Sequence, residues 1–176
     1  NILRTVYNSA VDYEIGGGFG IIQRAIITGA VVLDSQPETD EWLEWTFAPE
    51  IAPDVRKAPR TGGDVLRTLM DSTTSVDRDG NGYQAAPGYN RSWMDSFIIL
   101  GEVIANNGNY EKYNVYNNPK FAKLFTAQME YTLGNYYTPQ IGDSGAVAST
   151  GLTSDQVLDT LIMAFYRLKT PAIAQL

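Results

Sequence analysis

The chain has 176 residues with a formal net charge of −7, and it contains no cysteine and no histidine. The acidic balance argues against a nucleic-acid partner, since phosphate neutralisation needs a surplus of Lys and Arg. No segment approaches the roughly 20 apolar residues of a membrane-spanning helix. Without histidine, proton transfer near neutral pH must use Tyr, carboxylates, Lys or Arg, or residues outside the chain.

The first half of the chain predicts three helices. Residues 1–13 suit a short helix, and residues 21–33 are apolar nearly all round, which predicts a helix buried on most sides. Residues 38–47 form a short amphipathic helix with Trp42 and Trp45. The first helix carries one apolar face, made of Ile2, Val6, Ala10 and Tyr13. The acidic run consists of Glu38, Asp40, Glu41, Glu44, Glu50 and Asp54, and its favoured interpretation is a solvated helix face and loop.

The second half predicts further helices separated by unequal loops. Helices are expected at about 64–70, 91–105 and 119–133, and from a capping-box start signal at 153–156 to 168, with loops at 71–90, 106–118 and 134–152. The third of these predicted helices, 119–133, begins with proline at its first position. The helix at 91–105 turns Trp93, Phe97, Leu100 and Ile104 inward, and the last helix carries Leu158, Leu161, Ile162 and Phe165. Long ordered loops in helical domains usually carry function. The predicted fold class is all-α.

Two glycine-containing motifs each have a functional and a structural interpretation. Gly16-x-Gly18 before a helix suggests a dinucleotide loop, but Ile21 occupies the third glycine position, which favours a sharp entry to a buried helix. Asp77, Asp79 and Asn81 followed by glycine match the first half of a calcium loop. The twelfth position is glycine rather than glutamate, so bound Ca2+ and a plain Asp/Asn/Gly turn both stay open.

The segment 85–93 places polar side chains at a predicted helix start. Pro-Gly at 87–88 favours a turn directly before the helix, which brings Tyr89, Asn90 and Arg91 to an N-terminus where anions are favoured. A phenol, an amide and a guanidinium suit a sugar carboxylate, and Trp93 and Tyr83 are candidates to stack on sugar faces. The alternative is a capped helix with Tyr89 packed in the core.

The loop at 136–145 is aromatic and then polar, with glycines on both sides of Asp143. Such a loop can direct a carboxylate into a cleft. It can equally form a turn in which Asp143 bonds its own backbone.

Taken together, these motifs resemble the α/α-toroid domain of heparinase II/III-like polysaccharide lyases. The similarity lies in Asp79-Gly80, Pro87-Gly88-Tyr89-Asn90, Trp93, Ser96 and Asn118-Pro119-Lys120-Phe121, in 138–144, and in the buried helix at 20–34. It implies an incomplete toroid of helical hairpins with two long functional loops, and a periplasmic or secreted protein. Residues 1–176 would form a single helical domain, a piece of a larger toroid whose remainder and C-terminal β-sandwich region lie outside the chain.

The resemblance also implies an activity and a substrate. The family cleaves uronic-acid polysaccharides by β-elimination, so the expected partner is an anionic polysaccharide or oligosaccharide, with no cofactor required. Tyr89 matches the family's catalytic tyrosine, with Asn90, Arg91 and Gln23 as substrate contacts. The head of the buried helix lacks the Asn/His pair of relatives, which leaves a noncatalytic carbohydrate-binding or structural domain with a degenerate site as the alternative.

Overall fold

A computed structural model describes residues 2–12, 14–15, 20–48, 87–130, 139 and 155–174 of the chain. The side chains of 87–90, 128, 155–157 and 172 lie outside that description. Every regular element in the described ranges is a helix, and no strand occurs among them, so the all-α class is confirmed for this part of the chain. No helix in the same ranges is long and apolar enough to cross a membrane.

The predicted α-helices that fall in the described residues occur in the expected order, and a short helix at 171–174 and two 3-10 segments were not predicted. They are α1 (Ile2–Val11), α2 (Ile21–Leu33), α3 (Glu38–Phe47), α4 (Pro87–Ala105), α5 (Pro119–Glu130), α6 (Asp155–Leu168) and α7 (Pro171–Ala174). The 3-10 segments, Gly108–Tyr113 and Val115–Asn117, lie where the sequence predicted a plain loop. The helix predicted at 64–70 and the glycine run at 16–18 lie outside the described residues.

The chain divides into two compact units. The first contains the described residues up to 48 together with 99–114, and the second contains 87–98 together with the described residues from 115 onward. Helix α4 contributes residues to both units.

In the first unit, the buried face of α1 includes Ala10, as predicted, but excludes Ile2. Tyr7 and Ala10 are buried, whereas Ile2 is 82% exposed. The Tyr7 ring stacks on Trp42 at 5.2 Å between centroids and meets Trp45 edge-on at 5.7 Å. The aromatic contact with α3 therefore selects the face of α1 that carries Tyr7.

Helix α2 packs against both α1 and α3. Its close approach to α1 depends on Gly29, where an added Cβ would lie 3.2 Å from Leu3 Cδ2. The corner after α2 is fixed by the buried Thr39 hydroxyl, which donates to the Ala30 carbonyl and accepts from the Ser35 N–H, both at 2.9 Å. Helix α2 is buried on most sides, as predicted, and its exposed residues Ile21, Ala25 and Val32 form one stripe.

In the second unit, α5 packs against α6, α7 and the 3-10 segment Val115–Asn117. A row of packed aromatic rings forms its interior. The Phe97 ring centroid lies 5.4 Å from that of Trp93 and 6.3 Å from that of Phe121. The Phe125 ring packs edge-on against Phe121 at 5.2 Å between centroids. The inward positions predicted for α4 are confirmed, since Trp93, Phe97, Leu100 and Ile104 are each at most 1% exposed.

Helix α6 buries only a narrow strip of its surface. Leu161 and Ala164 are buried, whereas Ile162 is 54% exposed and Tyr166 is 74% exposed. Leu158, Met163 and Phe165 are also exposed, at 37–41%. Most of the apolar side chains on α6 therefore lie at the surface of the described structure.

Candidate functional site

The predicted anion-binding position is the start of α4. Pro87 occupies the first helical position, where its missing N–H costs no hydrogen bond and its fixed φ suits the helix. The helix thus begins earlier than the sequence indicated, and Pro-Gly forms its first turn instead of preceding it. The N–H groups of Gly88 and Tyr89 have no acceptor within the helix, as in any first turn. Backbone donors and the helix dipole therefore favour a negative charge at this end.

Three of the predicted site residues follow directly in these first turns. Tyr89, Asn90 and Arg91 all lie within α4, and the Arg91 side chain is half-buried. For Tyr89 and Asn90 the structure gives the backbone only. The backbone confirms that these residues lie near a helix N-terminus. Where the side chains of Tyr89 and Asn90 point is still a prediction.

A half-buried carboxylate that the sequence reading missed lies on the same helix. Asp95 follows Arg91 by four residues, so the two positions are neighbours along one face of α4. The Thr160 hydroxyl of α6 donates to Asp95 Oδ1 over 3.5 Å. The i, i+4 spacing of opposite charges was the available signal. Asp95 therefore adds a negative charge one turn beyond the Arg91 cation.

Trp93 and Gln23, both predicted to contact substrate, are interior residues. The Trp93 side chain is 1% exposed and lies against Phe97, and the Gln23 side chain is 5% exposed within α2. Stacking on a sugar or hydrogen bonding to its carboxylate needs accessible side-chain surface. In the conformation seen, neither residue offers that surface.

The remaining predicted site residues fall outside the described part of the chain. They are Tyr83 and Asp143 for substrate, and Asp77, Asp79 and Asn81 for calcium. Within the described residues, no cluster of three or more acidic, His or Cys side chains could hold a metal ion. The calcium loop therefore stays a prediction from its sequence pattern.

Two tyrosines of the first unit have strongly perturbed acidity. The Tyr110 hydroxyl donates to Asp34 Oδ1 at 2.6 Å, and this hydrogen bond together with burial raises the pKa of Tyr110 to about 12. Burial and the neighbouring Glu41 carboxylate raise the pKa of Tyr7 to about 12. Both phenols stay protonated at neutral pH, which suits them as hydrogen-bond donors and excludes them as bases.

The acidic run on α3 behaves largely as a solvated helix face. Glu38 forms an ion pair with Arg4, and Glu44 lies 4.0 Å from the Lys112 ammonium group. Asp40 and Glu41 are exposed in the first turn, where acidic side chains interact favourably with the helix dipole. The solvated-face interpretation is confirmed for Asp40, Glu41 and Glu44, while Glu50 and Asp54 lie outside the described residues.

Comparison with known proteins gives no relative for this chain. No family model matches it, and no curated protein or solved structure matches it either. The described residues define an all-α class, because every regular element among them is a helix.

Proposed function

We propose that the chain is part of a polysaccharide lyase that cleaves a uronic-acid-containing glycan by β-elimination. The proposal includes the fold: the helical hairpins of this chain form part of an α/α toroid, and the remainder of the domain completes it. Its support is the order and spacing of the motifs around 79–96, 118–121 and 138–144. The helical character of every regular element in the described residues is compatible with it.

The observation that carries the proposal is the start of α4 at Pro87. It places Tyr89, Asn90 and Arg91 in the first turns of a helix, whose N-terminal end favours an anion. A uronate carboxylate bound there would be neutralised by the helix end and the Arg91 guanidinium. Neutralisation makes the neighbouring C5 proton acidic enough to remove.

Tyr89 is proposed as the acid/base group in this reaction. The base removes the proton from C5, the electron pair forms the new double bond, and the glycosidic oxygen leaves with a proton. As the acid that protonates the leaving oxygen, a phenol needs no pKa shift. As the base, it needs a pKa lowered from about 10 by a neighbouring cation, and Arg91 is the candidate.

A noncatalytic carbohydrate-binding or structural domain is the second candidate. The burial of Gln23 and Trp93 favours it, because two of the expected substrate contacts are interior residues in the conformation seen. The lack of histidine in the sequence favours it as well, because the family often pairs its tyrosine with one. Under this candidate, the helix start binds an anionic sugar without turnover.

Turnover by the full-length protein on a panel of uronic polysaccharides separates the two candidates. The measurement is the ultraviolet absorbance of the unsaturated uronate product. We expect turnover in the natural protein, at least a hundredfold loss in Tyr89→Phe on the scale of acid/base catalysis, and no change in the matched control Tyr166→Phe, whose ring is 74% exposed. Full activity in Tyr89→Phe would remove Tyr89 from the chemistry, and binding without turnover would establish the second candidate.

A further inference from the structure

The short connection between α4 and the 3-10 segment Gly108–Tyr113 contains an asparagine followed by a glycine. Asn107 is half-buried and Gly108 is exposed, so water reaches both residues. Asparagine is thermolabile, because the backbone nitrogen of the next residue can attack its side-chain carbonyl carbon. Glycine hinders that attack least, since it has no Cβ. The pair therefore places an electrophile and a weakly hindered nucleophile next to each other.

The Gly108 N–H, which supplies the attacking nitrogen, has no acceptor in the described part of the chain. Gly108 is the first residue of its 3-10 segment, where an N–H has no partner within the helix. Asn107 has extended backbone, at φ −112° and ψ 97°, and so precedes the regular hydrogen bonding of the segment. A Cβ added at Gly108 would meet nothing within 4 Å. The nitrogen therefore has open space around it and no hydrogen bond to break before it reacts.

The side-chain carbonyl of Asn107 is already in contact with a hydrogen-bond donor. The Asn109 N–H donates to Asn107 Oδ1 over 3.3 Å. Negative charge develops on this oxygen when a nitrogen attacks the carbonyl carbon, and a donor held at that position stabilises the charge. The attack joins adjacent residues, so it is intramolecular and needs no encounter between molecules. The fold thus brings the electrophile, the nucleophile and the stabilising donor together in three consecutive residues.

We propose that Asn107 is a site of spontaneous covalent modification, which converts it to aspartate and isoaspartate. The Gly108 nitrogen gives up its proton as it bonds to Asn107 Cγ, and the side-chain nitrogen takes up a proton and leaves as ammonia. One water molecule then hydrolyses the five-membered imide. Cleavage of the bond from nitrogen to Cγ gives aspartate on a normal backbone. Cleavage of the bond from nitrogen to the main-chain carbonyl carbon gives isoaspartate, which adds one carbon to the backbone.

The two products affect the following 3-10 segment differently. The main-chain carbonyl of Asn107 accepts from the Tyr110 N–H at 3.2 Å, and isoaspartate removes that carbonyl from the backbone path. Tyr110 is also the donor to Asp34 Oδ1, so a displaced segment weakens this contact with the end of α2. Aspartate keeps the normal backbone and caps a helix as well as asparagine does. Isoaspartate therefore destabilises the first unit more than aspartate, although both add the same charge.

Peptide mapping by mass spectrometry tests the proposal on the chain aged at physiological temperature and mildly alkaline pH. We expect a mass increase of about 1 Da at Asn107, as an acid replaces an amide, and labelling of the same peptide by an isoaspartyl methyltransferase. Asn109, an exposed asparagine followed by tyrosine, is the internal control and should stay unchanged. The second Asn-Gly pair, at 81–82, lies outside the described residues and maps to a separate peptide.

Gly108→Ala should slow the modification about tenfold, because the added methyl group hinders the attacking nitrogen. The folded chain accommodates that methyl group without a contact. Equal rates in the wild type and Gly108→Ala would overturn the proposal. So would an Asn107 that reacts in the urea-unfolded chain and stays intact in the folded one, since the fold would then protect it. If Gly108→Ala does not fold, Asn107→Ser decides, because serine retains a capping oxygen and must abolish the methyltransferase label in this peptide.

The effect on the 3-10 segment is measured by urea denaturation of the isoaspartyl form after chromatographic separation. Asn107→Asp is the matched control, because it carries the same charge on a normal backbone. We expect the isoaspartyl form to unfold at a lower urea concentration than Asn107→Asp. Equal midpoints would overturn the inferred displacement of the segment.

Discussion

The Tyr110 hydroxyl donates a 2.6 Å hydrogen bond to Asp34 Oδ1, and the two residues are 76 positions apart in the chain. Asp34 is the C-cap residue directly after α2, in the left-handed region at φ 43°. Asp tolerates that conformation better than most residues, because its short polar side chain bonds locally or to a neighbour. The hydrogen bond joins the end of α2 to the 3-10 segment Gly108–Tyr113 within the first unit.

Tyr110→Phe should lower the free energy of unfolding at pH 7 by about 1 kcal/mol, as measured by urea denaturation. The loss falls below the roughly 1.5–3 kcal/mol of hydrogen bonds to charged groups, because Asp34 is exposed and water replaces the lost donor. Tyr166→Phe, at an exposed ring, should change little. In a double-mutant cycle with Asp34→Ala, a coupling close to zero would show that the hydrogen bond contributes nothing to stability.

The raised pKa of Tyr110 predicts a loss of stability in strong alkali. Its pKa is about 12 in the folded chain and near 10 in the unfolded chain, so the folded state holds the proton more tightly. The resulting stability is complete below about pH 10 and disappears as the pH rises through about 12. Urea unfolding followed from pH 9 to pH 12 should show a smaller decline in Tyr110→Phe than in the wild type. Parallel curves would contradict the shift.

Gly29→Val should destabilise the first unit by about 1–3 kcal/mol through overpacking. An added Cβ already lies 3.2 Å from Leu3 Cδ2, and valine places two further methyl groups there. Combining it with Leu3→Ala should recover part of the loss, because the truncation creates the space that valine needs. Thermal unfolding of the single and double variants measures this, and strictly additive losses would show that Leu3 is not the obstacle.

Trp93→Ala should cost about 3–5 kcal/mol of stability, as expected for truncation of a large core side chain. The ring is 1% exposed and contacts Phe97, which makes it part of the interior of the second unit. Trp93→Phe should retain most of that stability. If Trp93→Ala instead unfolds like the wild type and loses glycan binding, Trp93 is a surface contact for sugar.

Truncation of two neighbouring residues of α6 should reduce the free energy of unfolding by very different amounts. Leu161 is 4% exposed, and Leu161→Ala should cost about 2–5 kcal/mol. Ile162 is 54% exposed, and Ile162→Ala should change the free energy of unfolding by no more than about 0.5 kcal/mol. Urea denaturation measures the free energy of unfolding of both variants. The comparison is fair because each substitution truncates an aliphatic side chain of the same size to alanine. A large loss in Ile162→Ala would mean that its face is covered in solution.

The sequence alone determined the features that depend on neighbours along the chain. The bounds of α2 and α3, the proline that opens α5 and the inward positions of α4 agree with the structure. They follow from helical periodicity, from the missing N–H of proline and from the turn residues, all of which act over a few residues. For the candidate site, the same local signals placed Tyr89 to Arg91 near the start of a helix.

Only the tertiary structure decided features that require distant residues to meet. The stacking of Tyr7 on Trp42 selected the buried face of α1, and Tyr110 found Asp34 across 76 residues. The open stripe beside Ala25 also emerged only when α1, α2 and α4 were placed, since apolar periodicity cannot tell a covered helix face from an exposed one. Packing against residues far along the chain determines these features. The apolar periodicity of a single helix does not depend on those residues and cannot predict them.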